Sequence, residues 1–341
     1  MNRPSRSGFA LIDLVAASFV IALLLAIGVH FVQHARIKAR ATGCRNNLRQ
    51  IGVALAQYVD IHHMLPVIEL AGPGIQLAHS PQALLLPYLP QTGNIPYDPA
   101  RPWYQQAQGI GAATIPVFRC PASAHRDPVD AYQARRTKCP IGSLLGTTDY
   151  IVCKGASDSW CMEHGASAVP RAERGAFEIG QPVRPSDIVD GLAATIVFGE
   201  GTAGKRWLIG AHSPIPRSAL EVEEGHSVPA FNFWCWPFLN TLTDQALTRV
   251  VATSVFGTTA VSMNRQQVVE TIVNTEKLDD CRSGKGDQTG NAVSGFRSDH
   301  LAGSFFLFAD GSSRFLNEEV EPETYRVLST IAGGESVQYV E

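Results

Sequence analysis

The sequence predicts an α+β fold in which one long N-terminal helix, membrane-spanning in its first half and amphipathic in its second, packs on a mainly antiparallel β-sheet head with large loop-rich insertions. Three observations predict it. Leu14 to Gln33 is a run of twenty residues without Asp, Glu, Lys or Arg, and at about 1.5 Å per helical residue it reaches roughly 30 Å, the thickness of a bilayer's hydrocarbon core. Ile37, Ala41, Cys44, Leu48, Ile51, Leu55 and Tyr58 then recur at steps of four and three, which is one face of a continued helix. Near the other end, two apolar runs flank Asp310-Gly311 and predict a β-hairpin.

The totals fit that layout. A chain of 341 residues with 45% hydrophobic residues has enough apolar material for a real core beyond the first helix. Net charge is −3, with acids and bases spread along the chain, so no basic stripe marks a nucleic-acid partner. Seven cysteines suit an oxidising compartment, and their odd number leaves at least one unpaired. None forms a C-x-x-C, so neither a redox pair nor a zinc ribbon is readable.

In chain order, residues 1–8 form a polar leader carrying Arg3 and Arg6 and ending at Gly8. The apolar segment after it has three competing fates: secretory cleavage after Ala26-Ile-Gly28, retention as an uncut anchor, or cleavage between Gly8 and Phe9. Asp13, just inside the apolar run, has no use in a simple anchor. The helix is expected to span about Phe9 to Asp60, its second half exposing Asn46 and Asn47 to solvent. Eight prolines from residue 66 to residue 102 forbid long elements, leaving one short helix at Ala83 to Pro90. Thr148 to Cys153 and Thr195 to Phe198 read as strands, the second entered through a turn at Asp190-Gly191. Cys153 and Cys161 enclose a short Gly/Ser/Asp loop and are one candidate disulfide, although spacing does not fix connectivity. Residues 201–295 hold an acidic cluster (Glu221, Glu223, Glu224) and an aromatic one (Phe231 to Trp236).

Gly8-Phe9-Ala-Leu-Ile-Asp13-Leu-Val resembles the type IV prepilin processing site, with Asp in place of the usual Glu. Cys44-Arg-Asn-Asn-Leu-Arg-Gln-Ile-Gly52, Phe118-Arg-Cys120-Pro, the Ser186-Asp-Ile-Val-Asp-Gly191 and Gly199-Glu200 words, and Ser298-Asp-His300 with the later Phe308-Ala-Asp310-Gly311-Ser-Ser-Arg-Phe-Leu316 are similar to a large bacterial family of pilin-like proteins with a C-terminal domain of unknown function. The resemblance implies the pilin plan: a prepilin leader (1–8), a transmembrane helix (9–33), an amphipathic stalk (34–60) and an exported α+β head (61–341). It implies cleavage after Gly8 by a prepilin peptidase, methylation of Phe9, and pairing of Asp13 with the amine of a neighbouring pilin-like subunit in a type IV pilus-like or type II secretion-like assembly. It also makes Cys44 with Cys120 a second candidate disulfide, and His300, Asp310 and Gly311 structural residues of the closing hairpin. Counting Lys and Arg around the span would place the head inside the cell. The leader and the cysteines favour an exported head on a single-pass protein of the bacterial inner membrane.

No enzyme is expected. Asp299, His300 and Asp310, or Cys161 with His164, lack a third zinc ligand at a diagnostic spacing. Asp279 to Asp287 lacks the alternating acids and terminal Glu of a calcium loop, and Gly284-Lys285 is not a phosphate loop. No catalytic residue, metal or cofactor is therefore expected. The alternative function is a membrane-anchored binding module for a glycan or small solute, with Phe231 to Trp236 as its first candidate site.

Overall fold

The computed structural model describes residues 11–67, 79–90, 95–102, 105–125, 127–130, 141–156, 169, 171–178, 180–209, 228–230, 232–235, 256–264 and 295–334. The leader, Gly8, Phe9, Cys139, Cys161, His164, Glu221 to Glu224, Phe231, Trp236, Asp279 to Asp287 and Cys281 lie outside the described residues. The chain divides into two units, Met1–Thr42 and Gly43–Glu341. Helix α1 (Leu11–His62) begins in the first and ends in the second.

In the first unit α1 displays its apolar side chains outward: Leu14, Phe19, Leu24, Leu25 and Phe31 are all exposed, and Asp13 sits in the first helical turn. Among the described residues this is the one helix long and apolar enough to cross a membrane.

In the second unit the same helix has a buried face. Cys44, Leu48, Ile51, Ala54, Leu55 and Tyr58 are buried, whereas Ile37 is 45% exposed. The sequence periodicity overran: a helical face is a property of spacing, but burial starts only where the head begins. Asn47 also departs from the solvated surface expected of it, because its Nδ2 donates to the Arg119 carbonyl at 2.7 Å.

Nine strands are described: β1 (Val129–Asp130), β2 (Leu144–Leu145), β3 (Tyr150–Cys153), β4 (Ile196–Glu200), β5 (Gly204–Ile209), β6 (Val228–Ala230), β7 (Phe256–Gly257), β8 (Gly303–Phe308) and β9 (Ser313–Asn317). The central sheet runs β7-β3-β4-β8-β9; every neighbouring pair is antiparallel except β3 with β7. Strand β8 is buried along its whole length; its successive side chains leave on opposite faces, and both faces are covered. A Cβ on Gly52 of α1 would meet Leu307 Cδ1, while Phe306 and Phe308 join a cluster with Ile151, Cys153, Ile196, Phe296, Leu316, Tyr325 and Leu328.

The short elements follow their punctuation. Helix α2 (Pro81–Leu85) has proline in its first turn and Ser80 as cap, whose Oγ accepts the Ala83 N–H at 3.1 Å. Helix α3 (Pro322–Val327) is capped likewise by Glu321, which accepts the Thr324 N–H at 2.8 Å. In the β8–β9 turn Gly311 takes φ +82° and Asp310 Oδ1 accepts the Ser312 N–H at 2.9 Å. Asp190 does more than make a turn: it accepts the N–H groups of Gly333 at 2.7 Å and Gly334 at 3.0 Å, fastening the C-terminal segment beside β4.

Candidate functional site

Four segments meet at one buried point. Cys44 comes from α1 and Cys120 from the loop after a 3₁₀ turn at Pro116–Phe118. Glu200 ends β4, and His300 precedes β8. All four side chains are buried. Cys44 and Cys120 are joined by a disulfide. Glu200 Oε1 lies 3.2 Å from Cys120 Sγ and 3.4 Å from His300 Nε2, and Nε2 lies 3.6 Å from the same sulfur. A bridged sulfur carries no proton, so the oxygen–sulfur approach is a contact and not a hydrogen bond.

The other carboxylate oxygen of Glu200 is fixed by three donors: Ser298 Oγ at 2.8 Å, Ser304 Oγ at 3.3 Å and the Phe305 N–H at 2.8 Å. Ser298 Oγ in turn accepts the His300 N–H at 3.1 Å. The His300 ring stands edge-on to Phe305, 5.1 Å between centroids. Glu200 is therefore oriented by its surroundings, with one oxygen held and the other aimed at sulfur and imidazole.

A second polar cluster backs the first. The Cys120 N–H donates to Asp149 Oδ2 at 2.9 Å, and Arg119 Nη1 is 3.6 Å from that oxygen. Burial pushes the Asp149 carboxyl up to about 7, against the pull of Arg119. His125 lies between, its Nδ1 3.8 Å from Asp149 Oδ1 and 2.8 Å from Ser123 Oγ, its Nε2 beside Arg119 Nη1 and Thr147 Oγ1. Burial, helped by the Arg119 charge and opposed by Asp127, pushes the imidazole down to about 4. Tyr150, fully buried, donates its hydroxyl to the Cys44 carbonyl at 3.3 Å.

Residues 33–323 match the sequence profile of a family described as a protein of unknown function (DUF1559). The chain belongs to that family. Among curated proteins and among solved structures, none matches it. With one membrane-length helix among the described residues, N-terminal to the rest of the chain, this DUF1559 member has the layout of a membrane-anchored protein with a C-terminal domain.

The residues singled out from sequence fall into separate places. Cys44, Cys120 and His300 are brought together; Asp310 and Gly311 stay in the hairpin turn. Asp13 belongs to the first unit. The proposed Cys153–Cys161 bridge needs correction, because Cys153 is a free thiol, fully buried on β3 among the core residues. Of the aromatic candidate for ligand capture, Trp234 is fully buried and its Nε1 donates to the Ala113 carbonyl at 2.8 Å, while Phe231 and Trp236 lie outside the described residues. Glu200 is legible from sequence only as the end of a family word, with no site role assigned to it. Its signal was an acid closing an otherwise apolar strand, since a buried carboxylate is costly unless specific partners meet it.

Proposed function

We propose that the protein is a pilin-like or pseudopilin-type structural subunit: cut after Gly8 by a prepilin peptidase, methylated on Phe9, held in the bacterial inner membrane by α1, and associated through other such subunits with a type IV pilus-like or type II secretion-like assembly. The head is exported and has no nucleic-acid partner and no catalytic role. The observation that carries this reading is Asp13 in the first turn of a helix whose next twenty residues carry no charge and display their apolar side chains outward. An acid in apolar surroundings is costly unless a cation meets it. In an assembly of such subunits, a neighbour's new N-terminal ammonium is a cation with which Asp13 can pair.

Mass spectrometry of the protein isolated from membranes tests the reading. A mature chain beginning at methylated Phe9 is the expected result, and an intact Met1 would overturn it. Asp13→Ala should leave cleavage unchanged yet reduce co-isolation with other pilin-like subunits several-fold.

A further inference from the structure

We propose that in the reduced chain Cys44, Cys120, Glu200 and His300 form a four-coordinate zinc site. The ligand atoms of all four already lie within 4.8 Å of one another. A tetrahedral zinc with Zn–S of about 2.3 Å and Zn–N or Zn–O of about 2.0–2.1 Å has sulfur-to-nitrogen and sulfur-to-oxygen edges of about 3.5 Å and a nitrogen-to-oxygen edge of about 3.3 Å. The corresponding distances are 3.6 Å from Cys120 Sγ to His300 Nε2, 3.2 Å from Cys120 Sγ to Glu200 Oε1, and 3.4 Å from Nε2 to Oε1. Three edges of the coordination tetrahedron are in place to within about 0.3 Å of those values. Release of the S–S bond frees the Cys44 sulfur to take the fourth corner by side-chain rotation.

The surroundings are those of a ligand set. Ligating carboxylates are characteristically oriented by outer hydrogen bonds, and Glu200 has one oxygen held by Ser298, Ser304 and the Phe305 N–H while the other is directed at the sulfur and the imidazole. In the bridged state that oxygen meets an unprotonated sulfur; a cation between them removes the conflict. Two thiolates, an imidazole and a carboxylate are a donor set suited to zinc. Four protein ligands leave no open position, so the site is structural. It would join α1, the loop after Phe118, the end of β4 and the entry to β8. Zinc and disulfide are alternative states: bridging the two thiolates passes two electrons to a disulfide oxidant, which leaves as its dithiol or thiolates, removes both thiolate ligands and releases the ion.

The test uses the full chain in detergent micelles without oxygen, reduced by a trialkylphosphine. The disulfide gains two electrons and two protons, and the phosphine leaves as its oxide with oxygen taken from water. Cobalt(II) added to the reduced protein should give one equivalent of near-ultraviolet thiolate-to-cobalt absorption, displaced by zinc, and the oxidised protein should give none. His300→Ala and Glu200→Gln should each weaken zinc binding by at least about 10-fold, and Ser298→Ala, which leaves every ligand in place, by about 10-fold to 100-fold. The same absorption in a Cys44→Ser/Cys120→Ser double variant would overturn the proposal by assigning it to other thiols. Should that variant fail to fold by circular dichroism, the single substitutions decide, and unchanged zinc affinity in His300→Ala, Glu200→Gln and Ser298→Ala would overturn it equally.

Discussion

His125 shows what burial does to a single group in this head. Its ring faces Arg119, Asp127 and Asp149, and the net effect of burial and the guanidinium is to keep it neutral, titrating near 4 where the ordinary value is 6.5. The unfolded chain therefore binds more protons than the folded one between those two values, and the folded state loses stability as pH falls through that window. The raised Asp149 carboxyl works in the opposite sense over the same range, so the test is a difference: in thermal unfolding monitored from pH 7 to pH 4, the wild-type midpoint should fall relative to that of His125→Asn. Equal slopes in the two proteins would assign the acid sensitivity to another group. Asn47 makes a related point at the same scale. Beside a helix face defined by apolar spacing, an amide counts as surface; here it serves the Arg119 carbonyl, a partner 72 positions away that no local pattern announces.

At the scale of elements, the meeting of α1 with the β8–β9 hairpin depends on the absence of a side chain at Gly52. A Cβ there would lie 2.9 Å from Leu307 Cδ1 and 3.5 Å from the Gly311 backbone. The leucine end can swing aside, so Gly52→Ala should be tolerated. Gly52→Leu must push the helix from the turn and should cost about 1–3 kcal/mol, measured by chemical denaturation of the detergent-solubilised protein. The hairpin itself was readable, because Asp310-Gly311 between apolar runs encodes a turn and Gly311 adopts the positive φ that glycine permits. The length of the buried helical face was not. Steps of four and three continue from Ile37, yet the packed stretch opens at Cys44, since periodicity says which side is apolar and nothing about where a partner surface begins.

Over the whole molecule, the disulfide between Cys44 and Cys120 closes a loop of sequence separation 76. Loops of that order restrict the unfolded chain enough that Cys120→Ser, assayed with a metal chelator present, should lower stability by about 2–4 kcal/mol. Adding reductant to the wild type under the same conditions should reproduce the loss, and a midpoint unmoved by either would count against the bridge as a stabilising element. The α+β class, the long helix, strands β3 and β4 and the closing hairpin were legible from hydrophobic spacing and turn residues, whereas β1, β2, β5, β6 and β7 were not. The candidate site was legible only as scattered words. Cys44, Phe118 to Pro121, Gly199-Glu200 and Ser298 to His300 can each be picked out, but their convergence spans separations of 76, 80 and 180 residues. Such contacts are set by sheet order and by the course of the loops, which no short-range periodicity carries.

The bridge also decides where tension goes. A load drawn along α1 from its N-terminal end reaches Cys44 before it reaches Leu48, Ile51, Leu55 or Tyr58, and the covalent bond hands it to Cys120 and the loop leading toward β3. The rest of the buried face lies outside the path of the force. While the bond is intact, the helix cannot be peeled from the sheet turn by turn, and the stress is delivered to the head at a single anchored point.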